Sequence, residues 1–566
     1  MLLREVDMCN GRILTGLLLS LLAFTACAAP SGPSSAGNQT GRSSGAPKRV
    51  VAGIRGTAQV LYAKLNISNA GLGVSDIARM VGAGLTARDD QDELHPQLTE
   101  AIPTVNNGNW KLQPDGKMET VWKIRPNARW HDGTAVSADD ILFTLTLSMD
   151  PDLPVFAQTA FESVDGARAL DASTVVVTWK QPYIHADELF STEVAPPLPK
   201  HLLEKSYQED KLNVPQHPYF TTDFVGTGAF KVKEYVPDSF IVLTAFDDFV
   251  LGRPRIDEFE ARFVPDANTV LAYLLSGEIQ LILDARSITS AQALTIKDQW
   301  AAGTFEYGRA SWVVMYPQHI NPMPSAMADV RFKRALTHAV NREEMGQEAP
   351  IPVPIADSWI GPDWLQYKDI ESSMVKYPFD LRRSAQLLEE VGYSKGPDGF
   401  YRDISGKLNV EIRAPNTDIN TRSALTVLDY WQRAGIGGEM AVVPAPRTND
   451  REYRATFPGL ELIRPAASLE AFTSVKSNNI ALPENNWAGT NRQRYASPVL
   501  DTLIDRYLAT IPPGPRLEGL KEVVHLTTDQ LVFMSLIFDP PVLLISQNLR
   551  NVPPANLWNA HEWDVV

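Results

Sequence analysis

The chain has 566 residues, 44% of them apolar and 21% charged, which is too long for one hydrophobic core and too apolar for wholesale disorder. Lys and Arg total 52 against 67 Asp and Glu, a formal charge of −15, so a nucleic-acid partner is excluded for want of a basic surface. The only cysteines, Cys9 and Cys27, lie near the N-terminus, so the chain beyond Cys27 can build no disulfide, Cys-based zinc site or cysteine nucleophile.

Arg4 and Arg12 precede the apolar stretch Ile13 to Phe24, and the small residues Thr25-Ala26-Cys27-Ala28 follow at once. A basic start, a short apolar run and a small-residue exit predict a secretory signal over residues 1–26. The run is marginal for a membrane span, which needs about 20 apolar residues. Phe24-Thr25-Ala26-Cys27 resembles a bacterial lipobox, with Phe where Leu is usual. That resemblance implies a lipidated Cys27, whose acyl chains would contribute about 0.8 kcal/mol per buried CH₂ to membrane attachment. Cys27 and the Ser/Gly/Pro-rich stretch behind it make residues 27–48 a flexible tether with a mean reach on the order of 25 Å.

The body alternates strand and helix signals. Arg49 to Ile54 reads as an opening strand, and Met118, Thr120, Trp122 and Ile124 alternate with polar or outward positions, a half-buried strand. Asp132-Gly133 marks a turn. Ser137 with Asp140 three residues on predicts a capped helix that ends near Asp150-Pro151. Thr174 to Trp179 reads as a strand closed by Pro182; Gly226-Thr227-Gly228 is a turn before the strand-like Phe240 to Phe246. Leu271, Leu274 and Leu275 predict a helix stopped by Gly277. Arg331 to Val340 and Leu381 to Val391 are helical, the second capped by Asp380 and stopped by Gly392. The apolar run Leu531 to Phe538 meets Pro540-Pro541 and then the β-rich Val542 to Ser546. The class is mixed α/β in several units.

The sequence has no phosphate-binding Gly-x-x-x-x-Gly-Lys-Ser/Thr loop, and Gly82-Ala83-Gly84 lacks the third glycine of a dinucleotide fingerprint. None of the nine histidines sits three or four residues from another, so no local metal cage and no cofactor is expected. His131-Asp132 is the one tempting dyad; a turn explains it more simply, and a secreted lipoprotein hydrolase on the same scaffold stands as the rival function.

Trp122-Lys123-Ile124-Arg125-Pro126, Trp130-His131-Asp132-Gly133-Thr134 and Ser137-Ala138-Asp139-Asp140-Ile141 resemble the signature region of the family-5 extracellular solute-binding proteins, the peptide/nickel-type receptors of ABC importers. Further blocks agree in order: Val225 to Phe230, Gly252 to Asp257, Leu275 to Ile279, Asp329 to Glu343, Tyr377 to Tyr393, and Arg494 to Pro498. The resemblance implies a bilobed periplasmic-binding-protein-like α/β fold of the large type II class, with an extra inserted subdomain. It places a first lobe at 49–75, 221–308 and 533–566, the insert at 76–220 and the second lobe at 309–532. It also implies structural work for Trp122, Trp130, Gly133, Gly226 and Gly228. The function implied is noncovalent: an extracytoplasmic monomer, not an enzyme, whose lobes close on an oligopeptide or similar small organic solute and present it to a membrane permease, ATP hydrolysis falling to a separate subunit.

Peptide receptors of the family carry an acidic residue in a Trp- and Asp-rich segment of the second lobe that pairs with the peptide's amine. The comparable stretch here, Phe457 to Glu470, has no Asp; Glu461 or Glu470 is left to substitute. Arg464 in the same stretch suits a carboxylate or other anion. Two aromatic pairs, Trp312 with Tyr316 and Trp359 with Trp364, suit a cleft lining, and the polar run holding Asn485, Asn486, Trp487 and Asn491 offers amide hydrogen bonds. The ligand-binding set expected from sequence is therefore Trp312, Tyr316, Trp359, Arg464, Glu470, Trp487 and Asn491, with Cys27 as the lipidation site and no metal site.

Overall fold

The first predicted strand forms as read, Arg49–Ile54, and becomes the middle of a seven-stranded sheet. Its small Gly53 lets a helix approach: a side chain there would meet Val270 Cγ2 at 2.5 Å. In sheet order the strands are Gly303–Tyr307, Val542–Ser546, Leu281–Ile282, Arg49–Ile54, Glu258–Phe263, Phe240–Ala245 and Phe230–Val236. Helices Ala267–Ser276 and Ser290–Lys297 cover one face through Val270, Leu274 and Ile296. The other face shares its core with a four-stranded sheet, Trp110–Leu112, Met118–Lys123, Thr174–Trp179 and Val164–Asp171, through Trp122, Trp130, Trp179, Phe190 and Phe259. The structure is a computed structural model describing residues 46–566, apart from 57–59, 63–64, 66–72, 154, 157–158, 286, 309–310, 449, 466–467 and 556, and giving only backbone at 159 and 445. The predicted signal, Cys27 and most of the predicted tether lie outside the described residues.

The second lobe is a five-stranded sheet ordered Gly437–Val443, Asn409–Pro415, Leu460–Ile463, Ser311–Pro317 and Met534–Asp539. Asn409–Pro415 and Gly437–Val443 run parallel, joined over one face by the 17-residue helix Asp418–Ala434, a βαβ crossover. Helices Val330–His338 and Leu381–Glu390 complete that face. Pro498–Ala509 and Pro513–Asp529 cover the other.

The chain passes between the two sheets twice. Gly303–Tyr307 gives way to Ser311–Pro317 across residues 308–310, and Met534–Asp539 to Val542–Ser546 across Pro540-Pro541. The links lie side by side: the Gly308 N–H donates to the Pro541 carbonyl at 3.0 Å. Two short links between the sheets, joined at Gly308 and Pro541, are the geometry of a hinge. Segment 533–566 therefore divides, since Met534–Asp539 pairs with Ser311–Pro317 in the second sheet and only Val542–Ser546 joins the first. An apolar run before Pro-Pro reads alike in either sheet, and the pairing decides.

The motif residues hold the scaffold. Ser137 and Asp140 form the predicted capping box of Ala138–Met149. The Gly226-Thr227-Gly228 turn lies against the end of helix Val74–Val81, so that a side chain at Gly226 would sit 1.9 Å from the Val81 carbonyl oxygen. Trp122 and Trp130 are fully buried.

Candidate functional site

The strand Thr174–Trp179 of the inserted sheet ends at the loop Lys180 to His185, which turns into the short 3₁₀ segment Ala186–Glu188. This corner faces the second lobe: the Ile184 N–H donates to the Leu508 carbonyl at 2.9 Å, and Ile184 joins the second lobe's core. Beside it opens a cavity of about 940 Å³, walled by the insert through Arg88, Tyr183, His185 and Glu188 and by the second lobe through Trp364, Leu365, Glu470 and Tyr507. That volume is of the size that encloses small organic ligands.

A charge chain crosses the cavity wall. Arg88, at the end of strand Thr86–Arg88, donates from Nε to Glu188 Oε2 at 3.0 Å. Glu188 Oε1 lies 2.7 Å from His185 Nδ1, and the other ring nitrogen lies 3.5 Å from Glu470 Oε1 in the second lobe. Tyr507 OH donates to Glu470 Oε1 at 3.1 Å. Burial opposes a charge on His185, yet the two carboxylates prevail and its pKa is pushed up to about 10. Burial likewise opposes ionisation of Glu188, and His185 and Arg88 overcome it, bringing the group down to about 2. Glu470 is held below the usual carboxylate range by His185 against its own burial. The surroundings thus favour the imidazolium form of His185, which donates from Nδ1 to Glu188 and pairs through Nε2 with Glu470 across the boundary between insert and second lobe.

Of the expected ligand-binding set, Glu470 stands on this cavity and the others stand elsewhere; Trp364, paired with Trp359 on sequence grounds, also lines it. Trp312 is fully buried in the second lobe's core, its ring edge-on to Phe533 at 5.4 Å. Tyr316 also packs on Phe533, at 5.6 Å, and burial pushes its hydroxyl up to about 12. Trp359 is fully buried and donates from Nε1 to the Leu469 carbonyl at 3.0 Å, so it holds the Glu470 segment from behind. Arg464 does not offer its charge to the cavity: it pairs with Asp539 and donates to that residue's carbonyl at 3.1 Å, next to the Pro540-Pro541 link. Trp487 sits in a turn at a φ of 58°, off the cavity wall, and its N–H donates to the Leu482 carbonyl. Asn491 is buried, its amide donating to the carbonyls of Val475, Lys476 and Tyr495 and its oxygen accepting from the Tyr495 N–H, which consumes it as a loop staple. The two acids considered for an amine are separated as well. Glu461 is fully buried between Arg454 and Arg492, with its carboxylate already doubly paired.

The sequence pattern of the bacterial extracellular solute-binding proteins, family 5 (middle region), matches residues 93–475, about two thirds of the chain. The chain belongs to this family. A Brucella melitensis protein named as a candidate ABC transporter peptide-binding protein is 26% identical over 473 residues, 81% of this chain and 84% of that one. The oligopeptide-binding protein AppA of Bacillus subtilis is 25% identical over 451 residues, 76% of this chain and 75% of its own length. AppA solved with a nonapeptide superposes with a TM-score of 0.71, covering 92% of this chain and all of that one at 19% identity. NikZ from Campylobacter jejuni, solved with Ni(L-His), gives 0.72 at 20% identity with 92% and 100% covered. The bilobed fold is common to these proteins.

In this family-5 protein the His131-Asp132 pair is no dyad. His131 Nδ1 accepts from the Gly226 N–H at 3.2 Å, which leaves Nε2–H to donate to the Gly228 carbonyl at 3.0 Å. Asp132 instead lies 2.8 Å from His201 Nε2. Burial brings His131 down to about 4, so it stays neutral and ties the signature region to the Gly-Thr-Gly turn. Among the described residues one group has the proximity of metal ligands, Asp89, Glu93 and His95 on the hairpin after Arg88. Asp89 there accepts from the Gln91 and Glu93 N–H groups and lies 2.8 Å from His95 Nε2, while His95 stacks on Trp558. These contacts account for the group as a capped turn.

Sequence reasoning missed the insert's side of the cavity. Its one visible signal is Tyr183 to Glu188, where a tyrosine, a histidine and two acids crowd the loop behind Pro182.

Proposed function

We propose that this family-5 protein is the lipid-anchored receptor of an ABC importer, capturing a peptide-sized solute in the cavity between insert and second lobe and delivering it unchanged to the permease. Glu470 carries the reading. A carboxylate offers about four acceptor positions, and Tyr507 and His185 use two of those on Glu470, leaving room for a ligand ammonium. Trp364 and the exposed Leu365 give the ligand's apolar groups a wall. A ligand touching both walls favours the closed arrangement of the hinge by its differential affinity, and that arrangement is what a permease reads. The peptide named with AppA and the metal chelate named with NikZ belong to those proteins; Glu470 and the cavity's size favour the peptide class here.

The test is ligand fate. Full-length protein incubated with a peptide pool and examined by native mass spectrometry is expected to retain a stoichiometric peptide of unchanged mass. Turnover without retention would move the reading to the hydrolase. The anchor is tested separately: Cys27→Ser is expected to move the protein from the membrane to the soluble fraction, and continued membrane retention would remove the lipid from the account.

A further inference from the structure

The cavity walls are strongly one-signed. Six carboxylates line them, Asp92, Glu93, Asp187, Glu188, Asp369 and Glu470, against the cationic Arg88, His185 and Arg516. Arg88 and His185 are already engaged by Glu188 and Glu470. Asp187, in the same 3₁₀ segment as Glu188, has no ion pair among the described residues. Its backbone carbonyl accepts from the Thr86 hydroxyl at 3.3 Å, and the residue lines the cavity. The protein thus places a partly buried acid with no ion pair of its own on the wall of a ligand-sized space. An uncompensated carboxylate in such surroundings is costly unless a cation meets it.

Resting on the peptide-receptor reading, we infer that this cavity selects ligands with a positive charge beyond the single amine met by Glu470, and that Asp187 is the residue that reads it. The ligand class is a cationic peptide, with a lysine- or arginine-like group directed at the insert. Burial and the neighbouring Glu188 push Asp187 up to about 6, against the opposing pull of His185 and Arg88. A bound ammonium favours the ionised form, so binding releases a proton near that pH. The other groups facing Asp187 do not change state between pH 5 and 7.5. His185 stays protonated, Glu188 and Glu470 stay ionised, and burial keeps Tyr183 and Tyr507 neutral. Arg88 stays charged under the Glu188 carboxylate, against its burial.

Calorimetric titration of the full chain with trilysine, with the same peptide acetylated on its side-chain amines, and with spermidine tests this. At pH 7.5 trilysine is expected to bind at least about tenfold more tightly than the acetylated peptide, and that ratio falls roughly tenfold by pH 5. Asp187→Asn brings the ratio to about one, and Asp187→Glu restores it. Equal affinities in the native chain, or a ratio unchanged by Asp187→Asn, overturn the inference while leaving a peptide receptor. Spermidine bound in an Asp187-dependent way, with neither peptide bound, overturns the peptide class and keeps the charge selection. Binding of none of the three overturns both.

Discussion

Replacing Trp359 by alanine is expected to lower the unfolding free energy by about 3–5 kcal/mol, the range for removing a fully buried indole that the surroundings cannot refill. Its ring lies 5.7 Å from both Phe472 and Phe533, inside the core under the second sheet, where collapse would drag helix Pro498–Ala509 with it. The substitution also frees the Leu469 carbonyl, next to Glu470. Ligand affinity should therefore fall more than for an equally destabilising change remote from the cavity, such as Trp431→Ala, whose indole donates to the Leu336 carbonyl on the far face of the sheet. Urea unfolding paired with calorimetric titration measures both effects. Equal affinity losses in the two variants would show that Trp359 does not position the Glu470 segment.

The second large effect is electrostatic. His185 moves from an ordinary 6.5 to about 10 in the folded protein, so its contribution to stability is complete below pH 6.5 and is lost as pH rises through about 10. Allowing for the 23% of its side chain that solvent reaches, the contribution is roughly 2–4 kcal/mol. Glu188 works in the opposite sense: held at about 2 against an ordinary 4.5, its contribution is complete above pH 4.5 and is lost as acid takes the pH toward 2. A stability plateau between about pH 4.5 and 6.5 is the expected result. His185→Gln leaves Glu188 and Glu470 facing a neutral side chain, so the gap between native and variant midpoints should be widest near pH 6 and close by about pH 10. A gap that persists undiminished at pH 10 would mean that the imidazolium is not what joins insert and second lobe.

Much of the scaffold was readable from local signals. The strands Arg49–Ile54 and Thr174–Trp179 begin and end as their periodicity and flanking residues predict, the Ser137/Asp140 box caps its helix, and Asp380 accepts from the Arg382 and Arg383 N–H groups as a cap should. Gly277 adopts the left-handed conformation, φ 78°, that stops its helix. These features depend on hydrogen bonds and side-chain spacing within a few residues, so the sequence carries them directly.

The binding face was not readable in that way. Trp312 and Trp359 belong to strand and loop segments whose aromatic character suits a cleft or a core equally well, and sheet pairing put both inside. Arg464, Glu461 and Glu470 lie within ten residues of one another, yet the first is matched by Asp539, the second by Arg454 and Arg492, and the third faces a cavity. Which carboxylate stays open to a ligand depends on partners supplied from distant parts of the chain, and the insert's corner at Tyr183 to Glu188 meets Glu470 only after both lobes have folded. Local order and family membership follow from residue patterns; the disposition of charge around the cavity follows from long-range packing, because burial and ion pairing are properties of neighbours in space.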